Sequence, residues 1–200
     1  MRYLSILIFI WLVSCSSKTS KETDNQKTIS SSNLGKELID AGFLRFADSI
    51  AMDSLKSELI NSFDLYLEAN NKIAHIDAEE LAEFNFDFFV PTLNRVLQKR
   101  GFNLTVQVAT DYESTHDILI NGKKIQLYSK KELEDGTFWD AGARNFFREV
   151  NEQLTREEKE EVFYLLYAGN DLHAILLTPD QQRIIANNYR DTPMEIPYLP

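Results

Sequence analysis

The chain predicts an α+β fold: N-terminal helices, then a mostly antiparallel sheet of about five strands with helices on one face. Three observations carry this expectation. In the first half, apolar residues recur at helical spacing. The second half holds two hairpin signals, Asn121-Gly122 and Gly169-Asn170. Between those signals, "FWDAGARNFFREVNEQL" carries the most regular amphipathic helix pattern in the chain.

The helical half begins with "KELIDAGFLRFADSI", where Leu38, Ile39, Phe43, Phe46 and Ala47 stand at mixed helical spacing. In "MDSLKSELINSFDLYLEAN", Leu55, Leu59, Phe63 and Tyr66 fall on one stripe. Asp77 offers an N-cap, with Glu80 three residues on, for "AEELAEFNFDFFV". Pro91 interrupts that pattern. A proline inside a helix costs about 3 kcal/mol, so a fresh helix with Pro91 in its first turn is expected. That helix ends with Lys99 and Arg100 in its last turn and Gly101 as the stop. Phe84, Phe86, Phe88 and Phe89 cannot all share one helix face, so some of them are expected at the surface.

The strands follow. "FNLTVQVA" alternates, with Leu104, Val106 and Val108 on one face and Thr105 and Gln107 on the other. A two-residue turn at Asn121-Gly122 pairs Ile120 with Lys123 and Ile118 with Ile125, so Ile118, Ile120, Ile125 and Leu127 form an apolar face. In the next helix Trp139, Ala143, Phe146, Phe147, Val150 and Leu154 make one stripe. The runs of "EVFYLLYAGNDLHAILLT" are nearly continuous, as in strands buried on both faces. "TPDQ" is a capping box with Pro179 at the first helical position. The tail "RDTPMEIPYLP" reads as extended, and its Met194, Ile196, Tyr198 and Leu199 are fitted to strap across the domain or to dock on a partner.

The N-terminus has a different character. Arg2 precedes an apolar run from Leu4 to Val13, too short for a bilayer, which needs about 20 residues, and suited to a secretory signal. The run ends in "LVSC", and Cys15 is the chain's only cysteine. This stretch resembles the lipobox of bacterial lipoproteins. The resemblance implies cleavage after residue 14, a lipid on Cys15, and anchoring in a bacterial envelope. On that reading residues 1–14 are a signal peptide, residues 15–33 a lipidated cysteine and polar tether, and residues 34–200 one globular domain. A lipidated Cys15 leaves no thiol for a disulfide, a nucleophile or a metal.

The sequence holds 21 Lys and Arg against 31 Asp and Glu, a formal net charge of −10. Nucleic acid is excluded as an expected partner, since phosphate contacts need clustered cations. A basic protein partner fits, because its encounter would be steered electrostatically. Polar residues of two loops, Tyr112, Glu113, Asn170 and Asp171, are the candidate contacts.

Catalytic signatures are sparse. There is no G-x-S-x-G elbow, H-E-x-x-H helix or phosphate-cradling glycine loop. No cofactor or metal site is expected. An enzyme reading would draw on His116, Asp117, Asp171 and His173, provided their strands are neighbours. His75 stands just before the capping Asp77, and the run "REEKEE" reads as a solvated face. Three functions remain. The chain is expected to be a lipid-anchored acidic protein-binding module, with immunity to an exported basic toxin as its specific form. The alternatives are an envelope hydrolase with a His/Asp site, and a structural lipoprotein that aids envelope assembly.

Overall fold

The computed structural model describes residues 33–61 and 67–200. The signal segment, Cys15, nearly all of the tether, Phe63 and Tyr66 lie outside them. In chain order the elements are α1 (33–40), α2 (Met52–Asn61), β1 (Ile73–His75), α3 (Ala78–Ala82), α4 (Val90–Gln98), β2 (Val106–Val108), α5 (Tyr112–Thr115), β3 (Asp117–Ile120), β4 (Lys123–Gln126), α6 (Lys130–Glu134), α7 (Phe138–Arg156), β5 (Val162–Leu166), β6 (His173–Leu177) and α8 (Pro179–Asn188). The fold is α+β and its sheets are antiparallel, as the sequence predicts.

The strands do not form one sheet of about five. They divide into two sheets of three, ordered β1-β6-β5 and β2-β3-β4. The third strand of the first sheet is β1, which ends just before the helix start at Asp77 and which the sequence does not announce. Three residues are too few to show alternation, and β1 exists because Ala74 pairs with Ala174 of β6. Nor are helices confined to one face. On one side of the first sheet, Ile73, Tyr164, Leu166, Ile175 and Leu177 pack with Leu34, Leu38, Leu55, Leu59 and Ile185. On the other, Ala74, Phe163, Leu165, Ala174 and Leu176 pack with residues of α3, α4 and α7 and with Ile118 and Ile120 of the second sheet.

Local signals hold where they are strong. Asn121 and Gly122 both adopt positive φ, 48° and 81°, and Ile118 pairs with Ile125 and Ile120 with Lys123. Asp77 accepts from the amides of Glu79 and Glu80. Both parts of the Thr178–Gln181 capping box are formed. On α7 the stripe from Ala143 to Leu154 is buried, while Trp139 remains partly exposed. The N-terminal helix stops at residue 40, short of the expected run, because Gly42 turns the chain at φ 75°. Its neighbour Gly35 is needed for packing: a Cβ there would stand 1.9 Å from the carbonyl oxygen of Leu59.

Side chains finish the sheet edges. Asn151 of α7 donates to the carbonyl of Phe163 at 2.8 Å and accepts from its amide at 2.7 Å. Two residues on, the tail takes over: Leu165 and Tyr198 exchange amide-to-carbonyl bonds of 2.7 and 2.8 Å. A β5 edge occupied in this way is closed to further pairing along those residues.

A buried ionic cluster ties the layers together. Lys72, fully buried, donates to Glu161 at 2.5 Å, to the Leu176 carbonyl at 3.1 Å and to Gln181 at 3.2 Å. Arg100 donates from Nε to the same carboxylate at 2.5 Å and from Nη1 to the carbonyls of Asn71 and Val96. Glu161 closes the "REEKEE" run, yet it is only 5% exposed, so that run is not solvated throughout. The segment after α1 lies over the cluster, with the Phe43 ring 4.8 Å from Lys72 Nζ and the Phe46 ring 4.3 Å from the Arg100 guanidinium. Gln181 also holds the Ala41 carbonyl. Burial pushes the Lys72 ammonium down to about 8, against the pull of Glu161.

This packing has three measurable consequences. Gly35→Ala forces a backbone clash between α1 and α2 and should destabilise the fold by roughly 1–3 kcal/mol, read as a lower urea midpoint. Glu161→Gln strands two buried cations and should cost about 3–5 kcal/mol, whereas Lys72→Met leaves a neutral pair and should cost far less. Lys72 binds its proton less tightly folded than unfolded, so its contribution to stability rises as pH climbs from about 8 toward 10. Burial raises Tyr128, Tyr164 and Tyr198, which act with the opposite sign at higher pH. In Lys72→Met the rise between pH 8 and 10 should vanish from the denaturation curves.

Candidate functional site

The C-terminal tail shapes the largest hollow in this part of the molecule. Residues 193–198 run past the start of α7 and the end of β5, held by the Leu165–Tyr198 bridge. Gln182 donates to the Pro197 carbonyl at 2.9 Å. The Tyr198 hydroxyl donates to the Tyr167 carbonyl at 2.9 Å, and the Tyr167 hydroxyl donates to Glu195 at 2.7 Å. Arg144 lies 5.0 Å over the Tyr198 ring and is fixed by Asp140 at 2.8 Å. Between strap and body lies a cleft of about 960 Å³, lined chiefly by Tyr167, His173, Met194, Ile196 and Tyr198 with Asp140 and Asp171. The strap that the sequence suggested is thus present, and Met194 on it is 79% exposed.

Tyr167 was not foreseen. It sits in the left-handed region at φ 62°, where a bulky residue costs about 1–2 kcal/mol. The strap holds it there through both its hydroxyl and its carbonyl. No local sequence signal marks this residue, because the contacts that hold it come from the tail, 28 and 31 positions away.

His116 and His173, the two histidines of the enzyme reading, belong to different sheets. His116 lies at the root of the second sheet and His173 begins β6 of the first, and β3 and β6 are not neighbours. His116 stacks on Tyr128 with ring centroids 4.4 Å apart and donates from Nδ1 to the Tyr128 carbonyl at 3.2 Å. Asp117 is bound by Lys124 at 2.8 Å. His173 bonds through Nδ1 to the backbone carbonyl of Asp171 at 2.7 Å, not to its carboxylate. Its nearer ring partner is His75, directly opposite on β1, with centroids 4.9 Å apart, and Tyr167 meets it edge-on at 6.2 Å. His75 donates from Nε2 to the Asn170 carbonyl at 2.7 Å. Among the described residues no group of three or more His, Cys, Asp or Glu is placed to hold a metal ion.

The four loop residues named as contacts fall on either side of α3. The 169–171 turn packs against α3, while Tyr112 meets Phe84, just past α3, edge-to-face at 5.1 Å. Asn170, Asp171 and Glu113 are exposed and Tyr112 is half-buried. Only Asp171 of the four lines the cleft.

No helix among the described residues is long and apolar enough to cross a membrane. Comparison with known protein families, curated proteins and solved structures finds no match to this chain.

Burial holds the His173 imidazole below its ordinary pKa, and the nearby His75 acts in the same direction. A histidine that binds its proton less well folded than unfolded contributes stability above the ordinary value of 6.5 and loses it as pH falls. Acidification from pH 7 to 5 should therefore lower the urea midpoint of the wild type more than that of His173→Gln.

Proposed function

We propose that this chain is an exported, lipid-anchored module that binds another protein without carrying out chemistry on it. The observation that supports this reading is the cleft under the strap. It is lined mainly by aromatic and apolar side chains, with the Asp140–Arg144 pair and Asp171 among them and an exposed methionine on its lip. Such a lining suits burial of a partner's apolar side chain, worth about 1.5–3 kcal/mol when complete. The acidic charge of the chain favours a basic partner. The lipid on Cys15, implied by the "LVSC" motif, would hold the complex at the envelope membrane, where intercepting an exported basic toxin is one fitting role.

The test is a pull-down from the envelope and secreted fractions of the producing organism, read by mass spectrometry. The expected result is one stoichiometric basic partner that dissociates as salt rises and is lost with Met194→Lys. That substitution removes an apolar contact and sets a charge of the partner's own sign on the cleft lip, at an exposed site that leaves the core intact. An empty pull-down, or a partner indifferent to Met194→Lys, contradicts the reading.

A further inference from the structure

One end of the first sheet carries a row of rings that the helices leave open. On the face where Ile73 and Ile175 are packed against the N-terminal helices, the last cross-strand pair is His75 with His173. Phe88 meets His75 at 5.8 Å, His75 meets His173 at 4.9 Å, and His173 meets Tyr167 at 6.2 Å. The row crosses β1, β6 and the end of β5, at right angles to the strands. Phe88 is 46% exposed.

His173 lines two hollows at once. One is the cleft under the strap; the other, of about 270 Å³, is bounded by Glu68, Ile73, Phe88 and Thr92. The rings meet at 74°, 41° and 86°, so they present no single flat face on which a sugar or base could stack. They offer notches between ring edges, which suit separate side chains. Carboxylates border both hollows: Glu68 at the smaller, Asp140 and Asp171 at the larger. Among the described residues that line the hollows Arg144 is the one cation, and it is paired with Asp140 and lies over the Tyr198 ring. Glu68 faces Arg95 at 3.7 Å, so the charge complementary to a cation rests chiefly on Asp171, in a chain of net charge −10.

We propose that this row and its two hollows form the docking surface for an extended basic segment of a protein partner. One apolar side chain of that segment sits against Met194 and Tyr167, and a second sits against Phe88. A lysine or arginine between them reaches Asp171 or Glu68. About five extended residues cover the row at roughly 3.3 Å each. The inference rests on the protein-binding reading above and adds to it a place and a partner chemistry.

The test is site-specific photo-crosslinking in the full chain, in the producing cells, with benzoylphenylalanine placed at Phe88 in one variant and at Met194 in another. Both replacements stay at exposed sites, so folding is retained. The crosslinked peptide is then sequenced. Both positions should capture the same protein, through a segment with Lys or Arg within a few residues of an apolar side chain. Adduct yield should fall about fivefold or more in roughly 1 M salt, where screening shortens charge interactions to about 3 Å. Capture from Met194 with none from Phe88 overturns this surface while leaving the binding reading intact, and so does an acidic captured segment. Absence of capture at both positions overturns the surface, and together with an empty pull-down it removes the reading as well.

Discussion

The fold is organised around one carboxylate. Glu161 sits between Lys72 and Arg100 in a site almost closed to water, and each of the three comes from a different part of the chain. Removing charges from water is costly unless geometry and hydrogen bonds compensate. Here most of the compensation is visible. Lys72 finds three acceptors, and Arg100 binds two backbone carbonyls besides the carboxylate. Arg100 Nη2 has no hydrogen-bond partner among the described residues, though the Phe46 ring lies against the guanidinium. The arrangement carries two cations for one anion; burial is what chiefly depresses the Lys72 ammonium, and the nearby Arg100 adds to it. Because α4, β1, the approach to β5 and the start of α8 all meet here, the cluster fixes how the outer helices sit on the first sheet.

That sheet in turn positions the candidate site. Its β5 edge is closed by Asn151 and by the strap, and its open end presents His75, His173 and Tyr167 side by side. The cleft exists only because Tyr167 accepts a strained backbone conformation and the tail docks over it. A rigid sheet with a few adaptable side chains at its rim is the arrangement expected of a binding surface. Met194 adds a flexible apolar contact of the kind that fits irregular partners.

Much of this was legible in the residues. Asn121-Gly122 specifies its turn because both positions need positive φ, and the pairing register follows from the turn length. The α7 stripe and the Thr178 capping box are local patterns that tertiary packing did not override. What escaped is non-local. Lys72 and Glu161 are separated by 89 positions, and nothing in either neighbourhood announces the other. Glu161 hides in a charged run whose other glutamates, Glu157, Glu158 and Glu160, are not buried. β1 is too short for periodicity and is created by β6. His75 had to be read beside a capping aspartate, and only strand pairing shows that it faces His173. The tail residues Met194, Ile196 and Tyr198 were recognisable as a strap or docking element, whereas Tyr167 acquires its role only when that strap is in place.

The buried cluster makes the outer helices and the first sheet one cooperative platform, to which the strap is attached from outside. Native-state amide hydrogen exchange tests this most directly. The account predicts that the amide of Leu176, bonded to the Lys72 carbonyl, and that of Phe43 open with the same free energy as buried amides of α7, while amides of residues 193–196 open at a lower one. If Phe43 and its neighbours instead exchanged far more readily than Leu176, the outer layer would be coming away by itself, and the cluster would not be the clamp described here.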